Sequence, residues 1–323
     1  MIKAYHVYIN SNPYPADADI EQRKFELLTH IYSCINHKTV NPDIPLCLIT
    51  DENTVKYYDD WRLTGLYDEV ITHFHDDYPR DRISANFWAS PKIWAMSKLH
   101  TPFVILDTDI VVHKPLAGYF DCDLLYLHRE TTTLYPNLFD ITWSPGFSWD
   151  EEMIRCFMFA LPMNCALVGM FNEAFKADYV KRYFDFALDA SGDVQYPNGD
   201  SHRMYPWSSA QIIAEQWLLA ALAYYWKTVV KAPLRTRAAC TALWASIDFS
   251  PQDMDLGTET IQDELDSTFY HLWGAKRHQN NPQSAYYDTV RNTLLRGRHI
   301  VEESPQYDSV KEVYLHLLSR LAS

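Results

Sequence analysis

Along the first half of the chain, short and nearly continuous apolar runs alternate with segments whose apolar residues recur every three or four positions. "KAYHVYI" (3–9) reads as a first strand, "PLCLIT" (45–50) as a second and "DEVIT" (68–72) as a third. Between the first two, "DIEQRKFELLTHIYSCIN" carries Phe25, Leu28, Ile31, Tyr32 and Ile35 at helical spacing. Ser90-Pro91 pairs an N-cap residue with proline at the first helical position, and predicts a helix over "PKIWAMSKL" that leads into "FVILD". Strands that are apolar throughout, separated by helices, predict an α/β fold with a mostly parallel sheet covered on both faces.

Beyond residue 110 the pattern loosens. "DLLYL" (123–127) and "CALVGM" (165–170) are strand-like, and residues 172–188 space their apolar positions as an amphipathic helix. Residues 189–207 are polar and hold two glycines, a length and composition expected of a lid or binding loop. A mostly buried helix is predicted over 209–226, carrying Glu215 and Gln216. Ser304-Pro305 opens a last helix, on which Val310, Val313, Tyr314, Leu317, Leu318 and Leu321 form a docking stripe. The expected organisation is one domain over 1–280 with a helical extension, 281–323, packed on it.

Composition narrows the partners. The chain has 323 residues and a formal charge of −14, so no basic stripe offers itself to a nucleic acid, and an anionic substrate needs a local cation. The six cysteines form no CxxC pair and read as reduced thiols of a cytoplasmic protein. "MIKAYHVYIN" lacks the features of a secretory signal, and no run approaches the ~18 apolar residues of a membrane span. Twenty-two tyrosines and ten tryptophans supply faces for sugar rings or bases as well as for the core. "DITWSPGFSWDEE" (140–152) sets Trp143, Phe147 and Trp149 around Pro145-Gly146, as an acceptor-stacking loop or as one anchored by its own aromatics.

The chemistry centres on "FVILDTDIVVHKPL" (103–116), where an apolar run ends in Asp107 and Asp109. Carboxylates at the mouth of a buried strand cost free energy unless a cation pairs with them. In open α/β sheets ligands bind at the carboxyl ends of strands. Residues i and i+2 of an extended segment face one side, so both acids are expected to reach one object. Mg²⁺ is such an object, held by one or two carboxylates together with substrate phosphates. The plainer reading makes them a turn aspartate and an edge aspartate, both in water.

"FVILDTDIVV" resembles the DxD segment of nucleotide-sugar glycosyltransferases of the GT-A fold, and "FYHLWGAKRH" (269–278) is similar to the His-x-x-Gly-x-x-Lys segment of their glycogenin-like retaining members. The resemblance implies a Rossmann-like α/β fold over roughly residues 1 to 280 and a metal-dependent transfer, with retention, from a nucleotide-sugar donor to a glycan or glycoconjugate. Mn²⁺ or Mg²⁺ would be held by Asp107, Asp109 and His271. Lys92, Asp107, Thr108, Asn164 and Lys276 would contact the donor. The match is one residue short, since only Ala275 separates Gly274 from Lys276, which makes Arg277 a substitute for the phosphate contact. "AEQWLL" is similar to the family's acidic-Gln helix start, which implies Glu215 on the sugar hydroxyls and Gln216 beside the anomeric carbon.

Bland readings stand beside these. His271, between Phe269, Tyr270 and Leu272-Trp273, suits a packed aromatic strand, Glu215 and Gln216 suit polar positions on a buried helix, and Lys92 suits a structural ion pair with one of the aspartates. "LDTDIVV" also fits the first motif of haloacid-dehalogenase-like phosphohydrolases, where the first aspartate attacks phosphate. Those enzymes place it on their first strand, whereas here some hundred residues precede it. A carbohydrate-binding protein without turnover is the non-enzymatic alternative.

Overall fold

In the computed structural model, β1 (Lys3–Val7), β2 (Leu46–Ile49) and β3 (Glu69–Ile71) pair in parallel, with Tyr5 opposite Cys47 and Leu48 opposite Val70. The structure describes residues 1–9, 20–83, 87–129, 149–189, 211, 213–239, 269–271 and 285–321, with backbone alone at 20–25, 189, 269–271 and 285–290. The fold is α/β with a mostly parallel, mixed sheet. The chain divides into two units: Met1–His73, Val104–Gly118 and Ser246–Ser323 form the first, Phe74–Phe103 and Tyr119–Ala245 the second.

In the first unit the strands run in the order β3-β2-β1-β4, with β4 at Phe103–Leu106. Every residue of β2 and β4 is buried, as their uninterrupted apolar sequence requires. The helix predicted from that spacing is α1 (Ile20–Val40), and in it Leu27 to His37 are buried without interruption, on the polar positions as well as the apolar ones. The physical reason lies at the end of the chain. Helices Ala285–Glu303 and Asp308–Ser319 pack on α1 and cover the face that would otherwise meet water. Tyr307 Oη donates to Ile35 O at 3.3 Å, and Tyr314 Oη donates to Leu294 O at 2.7 Å. Gly297 permits the close approach, since a Cβ there would lie 2.6 Å from the Tyr32 ring. The stripe predicted after Ser304-Pro305 thus docks as expected, after a 3₁₀ turn over Pro305–Tyr307.

In the second unit the order is β7-β6-β8, from Leu167–Met170, Leu124–Tyr126 and Thr236–Ala238. The β6–β7 pair is antiparallel and the β6–β8 pair parallel. Two helices had no sequence prediction: α2 (Glu52–Asp60) in the first unit and α4 (Glu151–Phe159) in this one. Each is opened by an aspartate whose side chain accepts a backbone N–H, Asp51 from Thr54 and Asp150 from Met153. The helix α3 (Ser90–Lys98) starts at Ser90 itself with Ala89 as its cap, and the Ser90 hydroxyl donates to Phe87 O instead of capping. The expected long helix around Glu215 is a π-turn over Ile213–Trp217 followed by an α-helix over Leu218–Thr228. Among the described residues no helix is long and apolar enough to cross a membrane. The lid expected over 189–207 and most of the aromatic loop at 140–152 lie outside the described residues.

Candidate functional site

The apolar run of β4 ends at Leu106, and the chain turns at once. Asp107 O accepts from Ile110 N at 3.2 Å, closing a tight turn through Thr108 and Asp109. The aspartates therefore flank a bend and do not lie on an extended segment as the sequence predicted. The bend carries the chain out of the sheet into β5 (Ile110–Val112), which pairs antiparallel with β9 (Phe269–His271). Asp107 is partly exposed, while Thr108 and Asp109 are buried. The register sets Ile110 opposite His271, so a residue more than a hundred and fifty positions away enters the neighbourhood of Asp109 through the backbone. The His271 side chain, Gly274, Lys276 and Arg277 lie outside the described residues.

Three side chains that the sequence reading passed over hold β5 and the segment after it. Ser33 Oγ donates to Ile110 O at 2.6 Å, Asn36 Oδ1 accepts from Val112 N at 2.7 Å, and Asn41 Oδ1 accepts from Leu116 N at 2.7 Å. Ser33 and Asn36 sit three apart on α1, hence on one face. A serine and an asparagine inside a wholly buried helix are the signal that could have found them, because buried polar groups must be bonded. Close by, burial first, and then the neighbouring His30 and His37, hold His6 well below the usual imidazole range, with the Asp109 charge opposing. His6 is therefore neutral and does not serve as the counter-charge for Asp109.

The second unit gathers Lys92, Asn164, Glu215 and Gln216. Lys92, from the first turn of α3, lies with its Nζ 2.6 Å from Glu215 Oε1, both side chains nearly out of water at 11% and 6% exposure. The approach is close but too oblique for a hydrogen bond to Oε1. Lys92 also donates to Cys165 O at 3.1 Å. The ion-pair partner that the second unit gives Lys92 is Glu215. Glu215 Oε2 accepts from Gln211 Nε2 at 3.1 Å, and Gln211 Oε1 accepts from Tyr183 Oη at 3.1 Å and Ala89 N at 3.4 Å. Gln211, one helical turn before Glu215, had no place in the sequence reading; its i,i+4 spacing to Glu215 was the available sign.

Backbone bonds tie the remaining members in. Met163 N donates to Gln216 O at 3.1 Å, and Asn164 Oδ1 accepts from Ala166 N at 3.0 Å, so the amide shapes the entry into β7. Glu215 and Gln216 both fall in the π-turn, an irregularity concentrated at functional positions in other proteins. Holding a lysine and a carboxylate out of water is costly unless they are paired and further bonded, and here both conditions are met.

The two clusters differ in chemistry. Two carboxylates on a tight turn suit a hard divalent cation. The buried lysine–carboxylate pair suits the shaping of a polar pocket without net charge.

Comparisons with known proteins found solved structures of low overall similarity. A structure described as the PaToxG glycosyltransferase is similar at TM-score 0.36 and 9% identity, covering 98% of this chain and 86% of that one. The apo form of mouse xyloside xylosyltransferase 1 gives 0.39 and 9%, covering 84% and 96%. The glycosyltransferase GlyE of Streptococcus pneumoniae TIGR4 gives 0.36 and 11%, covering 90% and 63%. No curated protein matches the chain. Residues 2–281 match the profile of a family described as being of unknown function, DUF6734.

Proposed function

The chain belongs to the family DUF6734, and we propose that it is a metal-dependent glycosyltransferase that moves a sugar, with retention, from a nucleotide-diphosphate donor to a glycan or glycoconjugate. The observation that carries this reading is the turn at the end of β4. It holds Asp107 and buried Asp109, with Thr108 between them, just ahead of a strand whose register with β9 sets Ile110 opposite His271. The donor set, two carboxylates and one imidazole, fits Mn²⁺ or Mg²⁺, and Asp107, Asp109 and His271 are the residues that would hold the ion. When bound, such an ion offsets the negative charge of a diphosphate leaving group.

The chain's own residues supply the rest. Ser33 and Asn36 fix the backbone just after the acids, so the carboxylates are presented without a search over conformations. Glu215, engaged at both oxygens by Lys92 and Gln211, acts in this reading as a positioning group for the π-turn. Gln216, partly exposed, is then the residue of that turn offered to the sugar. Thr108, Asn164 and Lys276 complete the proposed donor contacts.

The test is calorimetric titration with nucleoside diphosphates, with and without Mn²⁺. Binding should require the ion, and Asp109→Asn should lower transfer on the order of 10²–10³-fold, the equivalent of several kcal/mol of lost charge stabilisation. Nucleotide binding that survives both chelation and Asp109→Asn, in a folded variant, refutes the proposal. A phosphatase activity with an acyl-phosphate on Asp107 would instead favour the phosphohydrolase reading.

A further inference from the structure

A second constellation of ligand-type side chains lies in the first unit, within reach of the Asp109 charge but made of other residues, at the junction of β1, α1 and the 3₁₀ turn over Thr64–Leu66. His6 projects from β1, His30 and Cys34 from α1, and Tyr67 follows the 3₁₀ turn. His30 and Cys34 are four residues apart, so they share one helix face. One ligand atom from each of His6, His30 and Cys34 lies within 4.8 Å of the other two, and all three residues are buried. The Tyr67 hydroxyl stands among them, 2.9 Å from His6 Nδ1 and in contact with His30 Nε2, while Cys34 Sγ lies 3.7 Å from His6 Nδ1.

We infer that His6 Nδ1, His30 Nε2 and Cys34 Sγ, with the Tyr67 oxygen as fourth donor, form a binding site for a zinc-type divalent ion. Three features of the geometry carry the inference. The donors are two imidazoles and a sulfur converging on one point, the set that borderline metals select and Mn²⁺ or Mg²⁺ do not. The ring nitrogens that face away from that point already have oriented partners. His30 Nδ1 meets Tyr58 Oη at 3.0 Å, and His6 Nε2 faces Ser33 Oγ at 3.4 Å, whose hydroxyl donates on to Ile110 O. Metal-bound histidines use this arrangement to fix ring and tautomer. Finally, the Tyr67 hydroxyl faces both imidazoles and the thiol at once, which puts its oxygen where a fourth donor would stand.

Burial pushes the Cys34 thiol up to about 12, so without a cation the sulfur keeps its proton. Ion binding therefore releases one proton from the thiol to solvent, while the phenol binds as a neutral oxygen. Bonds of about 2.0–2.1 Å to nitrogen and oxygen space tetrahedral ligands by about 3.3 Å, so the phenol must draw back slightly from the two imidazoles. The ion would tie β1 to α1, the helix whose Ser33 and Asn36 hold the segment after the acidic turn.

Metal analysis of the purified full-length protein tests this without any activity assay. Stoichiometric zinc should survive dialysis against a chelator, persist in Asp107→Asn/Asp109→Asn, and fall away in Cys34→Ser and His30→Gln. Protein grown on cobalt should show thiolate-to-metal charge transfer, lost in Cys34→Ser. Folded wild-type protein that holds no zinc, and takes up none when refolded with it, overturns the inference. So does zinc that stays in Cys34→Ser or leaves with the two aspartates. Either outcome would mark the cluster as a neutral hydrogen-bonded network.

Discussion

Two regions of this molecule hold carboxylates away from water, and they are compensated in different ways. In the second unit the counter-charge is covalently part of the protein: Lys92 lies 2.6 Å from Glu215, and Gln211 engages the other oxygen. At the turn after β4, the reading proposed above adds an exchangeable cation that arrives with the substrate. A built-in pair is permanent and shapes a pocket. An exchangeable ion makes occupancy depend on what is in solution, which suits a site that must bind and release a charged donor. The contrast teaches that burial of an acid does not by itself mark a metal site; the identity of what faces it does.

The largest expected effect comes from splitting the permanent pair. Lys92→Met leaves Glu215 charged and buried without its partner, which costs about 3–5 kcal/mol of stability. Urea unfolding should register that loss, and the double change Lys92→Met/Glu215→Gln should recover most of it. A double variant as unstable as the single one would mean that the lysine acts through packing and not through the pair.

A smaller effect belongs to the first unit, where an ionisable group is kept neutral instead of paired. Burial holds His37 down to about 4, its Nε2 bonded to Ile44 O at 3.1 Å and its Nδ1 buried without a hydrogen-bond partner. In the unfolded chain the same group titrates near ~6.5. Between those values the unfolded chain binds a proton that the folded one refuses. Stability is therefore complete above pH ~6.5 and falls as pH drops towards 4, by up to roughly 3 kcal/mol. Unfolding free energies measured across that window should show the slope, and His37→Gln should reduce it, leaving the share of buried His6.

The smallest effect is the most specific to the acidic turn. Asn36→Ala removes the acceptor for Val112 N and should cost about 1–3 kcal/mol. It should also weaken Mn²⁺-dependent nucleotide binding without abolishing it, since β5 would be less firmly held. Equal binding by wild type and a folded Asn36→Ala would separate the strand's anchoring from the function of the acids.

Much of the framework was legible before any coordinates. The runs at 45–50 and 103–107 are apolar over 46–49 and 103–106 because parallel strands are covered on both faces, and those stretches are β2 and β4. The stripe after Ser304 was readable because a helix that docks must repeat its apolar residues every three or four positions. The helices opened by Asp51 and Asp150 were not read, as their short amphipathic stretches compete poorly with loop signals in polar surroundings. At the candidate site, Asp107 and Asp109 could be picked out because two charges at the end of an apolar run are anomalous locally. Gln211, Ser33 and Asn36 were passed over, since the sign each gives, a polar residue within a helix, gains weight only once the helix is known to be buried all round.

The sequence alone thus determined the alternation of elements, the apolar strands and the position of the acid pair, all of which are decided by neighbours within a few residues. Tertiary structure alone decided that the pair sits on a bend, that Ile110 faces His271, that Lys92 meets Glu215, and that two histidines, a thiol and a phenol share one buried point. The bend apart, each of those depends on residues tens to hundreds of positions apart. Their meeting is set by chain packing, and local pattern carries no record of it.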